Sequence, residues 1–145
     1  MVGDDVMKKN FNIKQLLIGI CLILILVTVC IVGREKIEFQ LMLNRAFYYS
    51  EKGDYEAEIR GYDKLIKQEP EIYELYVNKA IALANNNNIY DALSTFQEAE
   101  LLNNNDPELY YNMAHLYEII KDDEMYQFYM QKGTALEFQQ NVREK

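Results

Sequence analysis

Cysteine is confined to Cys21 and Cys30, and both lie inside one apolar run. The rest of the chain has none, so a disulfide framework and a cysteine-ligated metal are excluded there. His115 is the single histidine among 145 residues. No glycine-rich phosphate loop, no metal-spaced His/Cys cluster and no nucleophile motif appears. Two prolines and six glycines rule out a collagen-like or low-complexity chain. Basic side chains are scarce beyond residue 36: residues 37–145 carry ten of them against twenty acidic ones. Such a surface cannot release counterions from phosphates, so nonspecific nucleic-acid binding is excluded. The acidic pairs, Glu56 with Glu58 and the run Asp122 to Glu124, read as solvated turns and helix starts that suit the helix dipole. No catalytic residue, cofactor or metal is expected.

What the sequence does hold is, first, a long hydrophobic run. From Leu16 to Gly33 eighteen residues carry no charge. As a helix they cover roughly 27 Å, close to a hydrocarbon core, and Ile13 extends the reach. Lys8, Lys9 and Lys14 precede the run; Arg34 and Lys36 follow it. The slight basic excess before it favours an N-terminus inside and the remainder outside, more so if translation starts at Met7. Three readings stand. A retained single-pass anchor over 13–33 is favoured. A cleaved signal peptide would need a small-residue site, for which Ile31-Val32-Gly33 is a poor candidate. A lipoprotein signal would need a small residue before Cys21 or Cys30, where Ile20 and Val29 stand. The two cysteines are read as small apolar residues, too deep in the run for easy palmitoylation.

Beyond the run, the sequence repeats with a period of 34. Segments 39–72, 73–106 and 107–140 align column by column. Ala46, Ala80 and Ala114 coincide; so do Met42, Tyr76 and Tyr110, and Tyr49, Leu83 and Tyr117. Tyr62, Phe96 and Met130 share a column, as do Leu65, Ala99 and Gly133, and Asn44, Asn78 and Asn112. Apolar residues within each unit recur at helical spacing: Tyr76, Ala80 and Leu83 on one helix, Ala92, Phe96 and Ala99 on the next. Breakers lie between them at Lys52-Gly53-Asp54, Asn85 to Asn88, and Lys121-Asp122-Asp123. Pro70 and Pro107 separate the units. Each unit is therefore a helical hairpin, with small residues where helices cross and large ones filling the gaps. Stacked hairpins share one continuous core.

These residues resemble the tetratricopeptide-repeat (TPR) family. The resemblance is carried most fully by Tyr76 through Leu83 followed by Asp91 through Ala99. Asn44 to Tyr49 with Gly53-Asp54-Tyr55 and Tyr62 through Pro70 share it, and Pro107 through Ala114 opens a third unit in the same style. It covers residues 37–140. Glu58 and Tyr126 depart from it, standing in the small-residue column of Ala92, with Ala57 one residue away; this allows a local rotation of the first unit. The fold expected is all-α: a 1–12 tail, an N-terminal transmembrane helix, a three-repeat TPR-like solenoid, and a short tail at 141–145.

The resemblance implies a concave groove lined by the first helix of each hairpin. Its candidate lining is Leu43, Asn44, Phe47 and Ser50; Val77, Asn78, Ile81 and Ala84; and Tyr111, Asn112, His115 and Glu118. An asparagine amide both donates and accepts, so one per unit makes a ladder for an extended peptide backbone; the alternative is that the three satisfy local backbone or face water. The columns that would carry a basic carboxylate clamp hold Leu43, Phe47 and Glu108. A neutral to basic, partly apolar segment is the expected ligand. The groove and the packing faces are expected not to compete for residues. The final helix carries Tyr126, Phe128, Tyr129, Met130, Leu136 and Phe138, more apolar surface than one neighbour covers, which suggests a partner site or a homo-oligomer. The expected function is a protein-binding adaptor or assembly factor at a bacterial cell membrane, with the repeats outside. The alternative is a structural subunit or self-associating scaffold of a membrane complex.

Overall fold

Three turns recur 34 residues apart in this sequence, and the computed structural model gives them the same backbone hydrogen bonds. Gly53, Asn87 and Lys121 take the left-handed backbone conformation, with φ of 69°, 64° and 59°. The amide N–H of each donates three residues back, to Ser50, Ala84 and Glu118, at 2.9–3.0 Å. The next amides, of Asp54, Asn88 and Asp122, reach five residues back to Tyr49, Leu83 and Tyr117. This is the Schellman pair that satisfies a helix's last carbonyls. The following helix is capped at once: the carboxylates of Asp54 and Asp122 accept from the amides of Ala57 and Met125, each at 3.1 Å.

The backbone is described for residues 2–143, and the side chains for 15–34 and 36–143. Met1, Glu144, Lys145 and the side chains of 2–14, with the flanking Lys8, Lys9 and Lys14, lie outside the described residues. Six helices follow in order: α1 Val2–Lys52, α2 Tyr55–Gln68, α3 Tyr73–Asn85, α4 Ile89–Leu102, α5 Pro107–Ile119 and α6 Asp123–Arg143. No strand occurs among the described residues. Helical backbone thus occupies most of the segment expected as an N-terminal tail, and the expected C-terminal tail is helix as far as Arg143.

The chain divides into two units, Met1–Leu41 and Met42–Lys145. In the first, every side chain from Ile20 to Val32 is exposed, and the Thr28 hydroxyl is satisfied internally by donating to the Ile25 carbonyl at 2.8 Å. By length and composition this helix can cross a membrane.

In the second unit the small column forms the centre of each hairpin: Ala46, Ala80 and Ala114 are wholly buried. Tyr62, Leu65, Phe96, Ala99, Leu109, Tyr110 and Met113 close around them. Successive hairpins are tied by polar bonds at their edges. Lys79 on α3 pairs with Asp63 on α2 at 2.7 Å. The Tyr73 hydroxyl donates to Asp106 at 2.8 Å, on the carboxylate that also caps α5 through the Glu108 amide. Burial, and then this bond, push the Tyr73 phenol upward. A periodic bond recurs between units: Tyr76 donates to the Pro70 carbonyl, and Tyr110, 34 residues on, to that of Asn104.

The first hairpin is not rotated. The Glu58 amide bonds the Asp54 carbonyl at 3.0 Å, as Ala92 bonds Asn88, so Glu58 holds the small-residue column in register. Its carboxyl is buried, only 5% exposed, and Oε2 has no partner. Burial raises its pKa, against a bond from Ser50 that lowers it. Burial, reinforced by Glu58, also pushes the Tyr62 phenol up to about 12.

The C-terminal open face differs from expectation. Tyr129 is buried, while Tyr126, Met130 and Leu136 pack on the core. Tyr129 stacks between Tyr110 and Tyr117, with ring centroids at 6.3 and 5.3 Å. Phe128 and Phe138 remain exposed, at 53% and 69%. Gln127 stands in the column of buried Leu93, so the face on which another hairpin would stack is partly polar, as a terminal repeat requires.

Two outcomes follow for stability. Lys121→Gly relieves a left-handed lysine and raises unfolding stability by about 0.5–1 kcal/mol after the entropy of glycine is counted; urea unfolding of the chain in mild detergent measures it. Glu58→Gln gains about 1 kcal/mol at pH 7 by removing a buried, incompletely bonded carboxyl whose charged form burial disfavours. Because the folded-state value is raised, the stability that wild-type Glu58 contributes is full below the ordinary carboxyl range and is lost as pH rises through the raised value. The gap between variant and parent therefore narrows on acidification, and paired urea midpoints across that range would show it.

Candidate functional site

Helix periodicity fixes which residues of α1, α3 and α5 point away from the hairpin cores. Ala46, Ala80 and Ala114 face inward, so residues one to three places away turn toward the side of the stack. Asn44, Phe47, Ile81 and His115 are exposed there; Leu43, Val77, Asn78, Tyr111 and Asn112 are half-buried. All nine predicted lining residues thus reach the surface.

They are not independent of the core, however. Val77 and Ala84 pack against the buried cluster. Tyr111 does more: a Cβ built on Gly133 would lie 2.6 Å from its ring, so the ring fills the space left by that glycine on α6. Its hydroxyl donates to Glu137 at 2.7 Å, and this bond chiefly raises the phenol's pKa. The expectation that groove and packing faces draw on separate residues fails at these three positions. A small residue at 133 was legible; which ring would occupy the gap was not, because that depends on the crossing of α5 and α6.

The asparagine column is polar and open. The side chains of Asn78 and Asn112 make no hydrogen bond among the described residues, and neither contributes a sealed polar atom. Their amides are therefore held part-way into the surface with donor and acceptor capacity to spare. His115 sits 3.3 Å from Glu118 through Nδ1, both exposed. Carboxylates of Glu74, Glu108 and Glu118 stand on the same helices, all exposed, which gives this side a negative character. Among the described residues no cluster of three or more His, Cys, Asp or Glu is placed to hold a metal ion.

A separate polar network joins α4, α5 and α6. Lys132 on α6 pairs with Glu100 on α4 and sits 4.4 Å above the Tyr110 ring. Burial alone would lower the lysine, but Glu100 and Tyr110 outweigh it and the net shift is upward. No spacing pattern signals this triad, whose members come from three helices.

Comparison with solved structures places the fold. A structure named "TPR2B-domain:pHsp70-complex of yeast Sti1" matches with a TM-score of 0.67 at 20% identity, over 73% of this chain and 85% of that one. "MamA MSR-1 C2" matches at 0.66 and 18%, over 70% and 59%. "CopN-Scc3 complex" matches at 0.64 and 14%, over 68% and 58%. The chain thus spans little more than half the length of the last two. No family model and no curated protein sequence matches it. The described helical hairpins have a TPR-like fold.

Gly133→Ala must push the Tyr111 ring aside. A loss of about 1–3 kcal/mol is expected, with a change in the near-ultraviolet tyrosine dichroism. Adding Tyr111→Leu should recover part of the loss, so a double-mutant cycle by thermal unfolding would show coupling; additive losses would remove Tyr111 from that contact.

Proposed function

We propose that this protein is a single-pass membrane adaptor whose groove binds an extended segment of a partner protein. The observation that carries this reading is the pair of unpaired, half-buried amides of Asn78 and Asn112, set one repeat apart on successive hairpins. Peptide groups of an extended chain can satisfy both without regard to sequence. Ile81, Phe47 and Leu43 supply apolar contact, and Glu74, Glu108 and Glu118 favour a neutral to basic ligand. That similar folds occur in the Sti1 TPR2B–pHsp70 and CopN–Scc3 complexes supports a protein-binding role. The uncharged run of α1 supports retention in a membrane, and the slight basic excess before it favours the N-terminus inside a bacterial cell and the hairpins outside. No sequence or structural feature favours catalysis.

A second reading is supported by the exposed rings of Phe128 and Phe138. Phe138 lines an open hollow of about 530 Å3 formed by α6 alone. In this reading α6 packs into a larger membrane assembly or a second copy, and the groove is idle.

Partner capture on the detergent-solubilised chain separates the two. Asn78→Ala should reduce recovery of a groove-bound partner by about two- to tenfold, the worth of one hydrogen bond. Ile81→Glu should abolish it. Capture indifferent to both substitutions but lost with Phe128→Ala and Phe138→Ala would reject the groove and favour the α6 face.

A further inference from the structure

The 34-residue register identifies a second built surface, at the open face of the first hairpin. Met42, Arg45 and Tyr49 stand in the columns of Tyr76, Lys79 and Leu83. Those later residues are covered in part by α2, as the Lys79–Asp63 pair shows. On the first hairpin no other hairpin covers the column. Instead α1 and α2 enclose a concavity of about 240 Å3, lined by Met42, Arg45, Tyr49, Ala57, Arg60, Gly61 and Lys64. Gly61 makes it possible: a Cβ there would meet that of Ala46 at 3.3 Å, so the helices approach closely and leave the longer side chains to form the rim.

Three cations line this hollow, and no carboxylate does. Arg45 and Lys64 have no ion pair among the described residues, and Arg60 has only a loose one to Glu56 at 3.6 Å, both side chains exposed. Solubility alone does not explain the choice of sign. The other open face, at α6, is kept wet by neutral Gln127, Gln131 and Thr134. The chain beyond residue 67 is strongly acidic, with five basic and fourteen acidic side chains over 68–145; residues 37–67 carry five and six. Positive charge is thus concentrated on the hairpin nearest the apolar helix in sequence. Arg45 follows Gly33 by twelve residues, so even a fully extended tether holds it within about 40 Å.

We propose that this hollow binds the phosphate of an anionic phospholipid headgroup. The site has room for roughly eight water molecules, enough for a phosphate and its attached glycerol. Two guanidinium forks and an ammonium match phosphate oxygens. The acidic remainder of the hairpins is repelled by the same surface, so headgroup binding orients them with their acidic end outward. This inference rests on the membrane reading above for its source of lipid.

The test uses the full chain in neutral maltoside micelles, followed by thermal unfolding at 222 nm. Dihexanoyl-phosphatidylglycerol should raise the midpoint by several degrees, and dihexanoyl-phosphatidylcholine should give less than a third of that shift. The triple variant Arg45→Ala, Arg60→Ala, Lys64→Ala should lose the response, and each single variant should weaken apparent affinity about fivefold. Lys64→Gln, an exposed and mild change, serves if the triple variant unfolds. Inorganic phosphate matching the phosphatidylglycerol effect would make a free anion the ligand and overturn the headgroup assignment. A response that survives in the variants would place the lipid elsewhere, with the same consequence. Alkaline extraction of membranes reads the anchor separately: release of the chain sinks the membrane reading and leaves the pocket result standing, whereas retention with no phosphatidylglycerol response sinks the pocket alone.

Discussion

The close crossing of two helices within each hairpin is the constraint on which everything else depends. It requires a side chain no larger than alanine at positions 46, 80 and 114, all wholly buried, and a reversal tight enough to bring the next helix back at once. The left-handed residue in each turn supplies the reversal. Once those two conditions are met, the remaining columns have little freedom at the helix crossings. Tyr62, Phe96 and Met130 must fill the same gap, and Lys79 must meet Asp63. The residues one to three places from the alanines are left on a surface that repeats every 34 residues.

That dependence explains what was legible in the sequence. The period, the six hairpin helices and the turn chemistry could be read because each is a local or strictly repeated property: glycine, asparagine and aspartate at the reversals, alanine at the crossings. The exposed or half-buried state of the nine candidate lining residues is consistent with the same register. What could not be read depends on contacts between helices. Glu58 stands where alanine stands one unit later, and only the backbone register shows that a carboxyl was accommodated there rather than the helix turned. Tyr111 looked like groove lining alone until Gly133 was seen to admit its ring. The apolar count of α6 overstated its exposed surface, because Tyr129 stacks into the core and Gln127 replaces a buried leucine.

The two ends of the stack solve one problem in different ways. A hairpin with nothing stacked on it exposes columns that elsewhere are buried, and a solenoid must make those columns tolerable to water. At α6 the solution is amide and hydroxyl groups, with two phenylalanines left over. At the first hairpin it is three cations around a hollow. The asymmetry matches the charge of the chain, which is nearly balanced over residues 37–67 and acidic over 68–145. A field of this kind orients a tethered body without any specific contact, though salt weakens it beyond about 10 Å.

The strongest argument for a ligand in the groove is a local cost. Asparagine in a helix interior is unfavourable by roughly 0.5–0.7 kcal/mol relative to alanine, and the chain spends that three times in one column. Apart from the buried Glu58 Oε2, its sheltered polar groups find partners: Thr95 donates to Asp91, Tyr73 to Asp106, Tyr110 to Glu100 and Asn104. Asn78 and Asn112 break that habit, and nothing in the packing asks for them, since alanine or lysine at either position would serve the helix better and the core equally. Asn78 and Asn112 weaken their own helices, repeat with the architecture and leave their amides open, which supports the proposed binding of an extended chain.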